Sequence, residues 1–217
     1  MYRHLLFDLD GTLTDSAEGI YNSIRYGLDK AGVPVPEPAI LQKFLGPPLY
    51  ESYQKYCGMS PEQSMQAVGY YREYFSEKGL FENAVIPGIE ALLVGLKREG
   101  FHLHLATAKP EVYALPILRH FGLYEYFEFF GAATLTKERS HKDEVIRYVL
   151  ENAGIADKRE CIMIGDRDND ILGAKACGIA SIGVLFGYGP REELEGAGAD
   201  YIAQTPADIA EIVKNAP

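Results

Sequence analysis

Apolar positions change their spacing twice along the chain. Leu5-Leu6-Phe7 is a short apolar run that stops at Asp8-Leu9-Asp10-Gly11, the length and abrupt end of a buried strand. The next stretch puts Ala17, Ile20, Tyr21, Ile24, Leu28 and Ala31 on one helical stripe, with Gly32 as a stop. Pro34, Pro36 and Pro38 then make a stiff break. Residues 39–82 read as helical and unusually aromatic, with Tyr50, Tyr53, Tyr56, Tyr70, Tyr71, Tyr74 and Phe75.

From Pro87 the pattern becomes a regular alternation. Pro87 opens a helix with Ile89, Leu92, Leu93 and Leu96 on one face, closed by Gly100. Phe101–Ala106 reads as a strand, 110–121 as a helix despite Pro116, and Phe127–Leu135 contains another strand. A helix begins near Lys142 and carries Val145, Ile146, Val149, Leu150 and Ala153 inward. Cys161–Ile164 is a continuously apolar strand ending in Gly165-Asp166. A short helix, a strand at Ser181–Leu185, a helical turn near 191–196, a strand near Tyr201 and a terminal helix follow. Strands alternating with helices predict a parallel sheet covered on both faces. A uniformly apolar strand such as 161–164 fits burial on both sides. The expected fold class is α/β, a Rossmann-like parallel-sheet core (1–14 and 86–217) with an inserted all-helical cap domain (15–85).

Composition narrows the partners. The chain has 217 residues and a formal charge of 21 − 31 = −10, which argues against a nucleic-acid polymer as partner. An anionic small molecule would need cations supplied locally. Cys57, Cys161 and Cys177 stand singly, which predicts free thiols in a reducing compartment. Asp8 follows the first residues too soon for a signal-peptide core, and no apolar stretch approaches the roughly 20 residues of a membrane span. The expectation is a cytoplasmic monomer or homodimer that does not engage a membrane.

Ligands of open α/β sheets bind beyond the carboxyl ends of the strands. The polar residues that follow the apolar runs are Asp8 and Asp10, Thr107, and Asp166 to Asp170, with Lys142 opening a helix after the third core strand. An isolated Asp-x-Asp could simply cap a turn. Gly11-Thr12 sharpens it, because glycine lets the backbone turn away and leaves both side chains at the strand tip. Gly165-Asp166-Arg167-Asp168-Asn169-Asp170 adds acidic groups at a second strand end. Clustered like charges are costly unless a cation sits among them, and oxygen ligands suit a hard divalent ion such as magnesium. Lys142 opposes the helix macrodipole in a first turn, unlike Asp143 and Glu144. Beside carboxylates, it is a cation placed to neutralise phosphate. Thr107-Ala108 offers a hydroxyl and a backbone N–H for an anion. Gly46-Pro47-Pro48 is the stiff cap segment expected to meet the substrate. His102 and His104 share one side of a strand without an evident third ligand, which favours structural histidines.

These motifs together resemble the haloacid dehalogenase superfamily of phosphotransferases: Asp8-Leu9-Asp10-Gly11-Thr12, Thr107, Lys142 and Gly165-Asp166 to Asp170 appear in the family's order. The resemblance covers essentially the whole chain and implies a magnesium-dependent phosphatase acting on a small phosphorylated metabolite. It implies Asp8 as nucleophile, Asp10 as general acid/base, and Thr107 and Lys142 as phosphate ligands. Magnesium would be held by Asp8, the Asp10 carbonyl and Asp166, with Asp170 close behind. The second acid, Asp10, argues against dehalogenation. Within the superfamily the chain looks like the phosphoglycolate phosphatases, and Ser140-His141-Lys142 with Asp166-Arg167 point to the branch described as 5′-nucleotidases. It departs from many phosphoglycolate phosphatases at Ala108, where they carry Asn, and at His141. A β-phosphoglucomutase-type mutase and a pyrophosphatase share the motifs. A non-catalytic phosphate-binding regulator would be expected to lose Asp8, Asp10 or Lys142.

Overall fold

One central strand organises the sheet. In the computed structural model, which describes residues 1–135 and 139–216, the strands are β1 (His4–Phe7), β2 (Thr14–Asp15), β3 (Ala84–Val85), β4 (His102–Pro110), β5 (Phe129–Ala133), β6 (Cys161–Gly165), β7 (Ala180–Val184) and β8 (Tyr201–Ala203). Six of them form one sheet in the order β5-β4-β1-β6-β7-β8, with each neighbouring pair parallel. From β1 the chain builds outward on one side through β4 and β5, then on the other through β6, β7 and β8. The strand order therefore reverses at β1, and a crevice opens at such a switch point beyond the strand ends. Leu5, Leu6 and Phe7 of β1 and Ile162, Met163 and Ile164 of β6 are fully buried, as a doubly covered sheet demands.

The chain divides into two compact units, Met1–Asp15 with Val85–Pro217, and Ser16–Ala84. In the second unit, residues 39–82 are helical, divided into several short elements. They follow α1 (Ala17–Lys30) as α2 (Pro38–Leu41), a tight turn at Gln42–Phe44, α3 (Leu49–Cys57), α4 (Pro61–Tyr74) and a wide helical turn at Phe75–Gly79. Prolines set those breaks: Pro48 immediately precedes α3, and Pro61 is the first residue of α4. Each lacks the N–H that a continuing helix would use. Ser60 caps α4 reciprocally, its hydroxyl accepting from Gln63 N at 3.2 Å while its own N–H donates to Gln63 Oε1 at 2.8 Å. Phe44 and Tyr53 are buried in this unit with ring centroids 5.4 Å apart, so Tyr53 is core. Tyr56 instead has the ammonium groups of Lys43 and Lys55 at 5.9 and 5.3 Å from its ring centroid.

The first unit carries α5 (Ile89–Arg98), α6 (Glu111–His120), α7 (Lys142–Asn152), α8 (Asp168–Cys177), α9 (Arg191–Ala197) and α10 (Pro206–Asn215). Helix α5 begins two residues after Pro87, because Gly88 adopts a positive φ of 93° and cannot be part of it. Strand β4 runs beyond the expected Ala106 to Pro110, with a register break between Thr107 and Pro110.

The sheet's amino end, where His4 pairs in register with His102, holds a histidine cluster. His104 is buried, its Nε2 lies 3.1 Å from His4 Nδ1, and its Nδ1 has no hydrogen-bond partner among the described residues. His102 Nδ1 meets Glu128 Oε2 at 2.8 Å, and Lys97 Nζ meets Glu128 Oε1 at 2.7 Å. An N···N hydrogen bond needs one neutral ring. Burial, reinforced by His4 and, more weakly, His102 and Lys97 against the opposing pull of Glu128, lowers the His104 pKa from 6.5 to about 4. The unfolded chain therefore takes up a proton that the folded one refuses. Stability present above the unfolded pKa is lost as pH falls through that window. Between about pH 7 and about pH 5 the loss from this group should be about 2 kcal/mol. His104→Leu should flatten the pH dependence of urea unfolding by that amount. Parallel curves for the two proteins would show that His104 does not couple folding to protons.

Candidate active site

Asp8 follows β1 directly, and its N–H donates to the Ile164 carbonyl of β6 at 2.9 Å. The chain then turns at once. Leu9 carbonyl accepts from Leu13 N at 2.9 Å and Thr14 N at 3.0 Å. Gly11 permits this turn with φ 80°, and a side chain there would run into the Asp166 carboxylate and the Tyr188 ring. Asp8 and Asp10 are thereby left at the strand tip, beside the end of β6.

Lys142 is the first residue of α7, yet it is buried. Its Nζ donates to Asp8 Oδ1 at 2.7 Å and to Ala106 carbonyl at 3.0 Å, and lies 2.7 Å from Asp170 Oδ1. Asp170 Oδ1 is buried, with the Lys142 ammonium as its ion-pair partner. Asp170 Oδ2 accepts from Arg167 N at 3.1 Å, at the start of α8. Burial disfavours the Lys142 ammonium, but Asp170 and Asp8 more than offset this, and its pKa is raised. Lys142 is charged.

Asp166 is fully buried. Its Oδ2 accepts from Tyr188 N at 2.8 Å, and its Oδ1 from Thr12 Oγ1 at 3.4 Å. Burial first, then the charges of Asp170 and Asp8, push its carboxyl well above the ordinary range. Burial likewise pushes Asp170 up to about 6, with Lys142 pulling down and Asp8 pushing up. Asp8, Asp166 and Asp170 each offer an oxygen, all within 4.8 Å of one another. One ammonium cannot balance three carboxylates. A divalent cation beside that ammonium would, and an oxygen-only donor set suits a hard ion.

Asp10 stands apart from that cluster. Its two carboxylate oxygens accept from Lys109 Nζ at 3.0 and 2.8 Å. The side chain is thus engaged by Lys109, and the atom of Asp10 expected to face a metal is its main-chain carbonyl. Thr107 is buried on β4, with its Oγ1 accepting from Lys109 N at 3.2 Å. Ala108 is next to it in the irregular stretch of that strand. Gly46 belongs to the Ser16–Ala84 unit, between Phe44 and α3. Lys109 and Tyr188 were not singled out by the sequence, while Thr12 was quoted only as part of the first motif. A lysine closing the Thr107 strand was a readable signal, whereas Tyr188 contributes through a backbone N–H that no sequence motif marks.

A parallel sheet with acidic groups and a buried lysine at its switch point defines a phosphotransferase-type hydrolase. A model of the haloacid dehalogenase-like hydrolase family matches residues 5–184; the chain belongs to that family and is one of its phosphatases. It is 44% identical over 193 residues to a 5′-nucleotidase of Pseudomonas aeruginosa, covering 89% of this chain and 87% of that one. It is 30% identical over 218 residues to a phosphoglycolate phosphatase of Yersinia pestis, covering 95% and 91%. The crystal structure of a predicted phosphatase from Clostridium acetobutylicum superposes with a TM-score of 0.89 at 47% identity, covering 99% of this chain and 97% of that one.

Removing Lys142 should expose how the cluster is held. Losing one partner of a buried ion pair typically costs about 3–5 kcal/mol, so Lys142→Met should lower the unfolding free energy by that order without divalent ions. Lys214, paired with Glu99 at 2.6 Å while both are about two-fifths exposed, should lose under about 1 kcal/mol on the same change. Equal losses in urea titration would contradict the difference.

Proposed function

We propose that this phosphatase hydrolyses a small phosphomonoester, a 5′-nucleotide in preference to 2-phosphoglycolate, through an aspartyl phosphate on Asp8, with magnesium as cofactor. One observation carries the assignment of the nucleophile. Among the clustered carboxylates, Asp166 and Asp170 are fully buried, while the Asp8 side chain retains 12% exposure. Of these three, Asp8 alone has a carboxylate open to solvent while Lys142 holds one of its oxygens, which supports it as the nucleophile.

The chemistry divides into two displacements. Asp8 attacks phosphorus, the ester P–O bond breaks, and Asp10 protonates the departing alkoxide. Water then attacks the same phosphorus, Asp10 takes its proton, and the bond to Asp8 breaks, releasing phosphate. Lys142 and Thr107 bind phosphate oxygens, aided by the Ala108 N–H. Asp8, Asp166 and the Asp10 carbonyl, with Asp170 close behind, would hold magnesium, which would offset charge on phosphate and carboxylates. Gly46-Pro47-Pro48 contributes to the choice of leaving group. The higher identity to a 5′-nucleotidase than to a phosphoglycolate phosphatase, 44% against 30%, supports the nucleotide preference. Free thiols at Cys57, Cys161 and Cys177 support a reducing, cytoplasmic setting. Among the described residues no helix is long and apolar enough to cross a membrane.

A phosphate-release screen over nucleoside monophosphates, 2-phosphoglycolate, pyrophosphate and sugar phosphates tests this reading. Nucleoside 5′-monophosphates should lead in kcat/KM by about tenfold, a difference of ~1.4 kcal/mol. Chelation should abolish turnover, magnesium restore it, and excess calcium inhibit, because calcium takes more ligands at longer distances. Replacing Gly46-Pro47-Pro48 should reorder the substrates. Asp8→Asn should fold and be inactive; near-normal turnover in that variant would remove the mechanism.

A further inference from the structure

Strand β4 is regular through Thr107, then loses register with β5 before Pro110. In an undisturbed strand Thr107 and Lys109 would simply share a face. Irregularities of this kind re-aim side chains near functional sites. Here the break brings Lys109 N within 3.2 Å of Thr107 Oγ1, and the Lys109 side chain reaches Asp10. Its Nζ donates to both Asp10 oxygens, at 3.0 and 2.8 Å. The lysine side chain is only 7% exposed, while Asp10 keeps 24%.

Two bonds from one ammonium do more than attract. They fix the rotation of the carboxylate plane, which one contact would leave free. They also occupy Asp10 away from the Asp8, Asp166 and Asp170 oxygens. Lys142 serves Asp8, and Lys109 serves Asp10, so each aspartate at the β1 tip has its own lysine.

We propose that Lys109 is a positioning residue, holding the Asp10 carboxyl group in the one orientation from which its protonated form passes a proton to the leaving oxygen and becomes the carboxylate. This rests on the reading of Asp10 as general acid. Misplacing a reacting group by about 1 Å can cost about 10²-fold in rate. The loss should appear only where protonation of the leaving group matters. An alkyl oxygen needs that proton; an acidic phenol scarcely does. Because Asp10 remains partly exposed, water can solvate it when Lys109 is removed, and the fold should survive.

The test is a single-turnover comparison of wild type, Lys109→Met, Lys109→Gln and Lys109→Arg, with enzyme in excess over a nucleoside 5′-monophosphate or p-nitrophenyl phosphate. Loss of either ester is followed, with melting temperature recorded for each variant. Lys109→Met and Lys109→Gln should cleave the nucleotide about 10²-fold more slowly. Their cleavage of p-nitrophenyl phosphate should fall by less than about threefold, since proton transfer contributes little there. Lys109→Arg should recover part of the nucleotide rate, because it restores two donors to the carboxylate. Equal losses on both esters, or no loss on either, overturn the positioning role while leaving the phosphatase reading intact. Wild-type protein that cleaves neither ester overturns both.

Discussion

The ammonium of Lys142 is the contact on which the rest of the site depends. It joins the start of α7 to the tip of β1 through Asp8, to β4 through the Ala106 carbonyl and to α8 through Asp170. The approach of α8 is close enough that a side chain at Gly173 would sit 2.9 Å from Lys142 Cγ. A lysine in a helix's first turn is opposed by the macrodipole, and burying it adds a desolvation cost. Both are overcome only because two carboxylates are already there. Those carboxylates, in turn, could not be buried together without it.

Stability and reactivity therefore draw on the same charges. Burial and mutual repulsion push Asp166 and Asp170 toward their protonated forms, and a cation reverses that tendency. A chain with formal charge −10 does not attract phosphate by its overall field. It meets an anion with cations placed individually, Lys142 at Asp8 and Lys109 at Asp10. The apolar interior of β1 and β6 separates this charged end of the sheet from the histidines at the other.

Much of this was legible in the chain. Leu5-Leu6-Phe7 and Cys161–Ile164 announced buried strands, and the carboxylates that end them announced a site, because a buried parallel strand leaves little room for polar groups except at its tips. Lys142 was legible as an anomaly of helix electrostatics. What the chain did not spell out was local. The aromatic block 39–82 read as helical, but its division into separate helices at Pro48 and Pro61 is not marked by its apolar spacing. Strand β4 outran its apolar run because its last residues face the site rather than the core. The Asp10–Lys109 pairing depends on a register break that periodicity does not encode. Tyr188 reaches Asp166 through its main chain, and a backbone donor leaves no trace in residue identity.

The central claim is that Asp8 becomes phosphorylated. Rapid acid quench during turnover of a nucleoside 5′-monophosphate, followed by peptide mapping by mass spectrometry, addresses it directly. The account predicts a hydroxylamine-labile phosphoryl group on the peptide containing Asp8, absent from Asp8→Asn. Turnover with no phosphoryl group on any peptide at quench times shorter than one catalytic cycle, under conditions where a trapped standard survives, would contradict it.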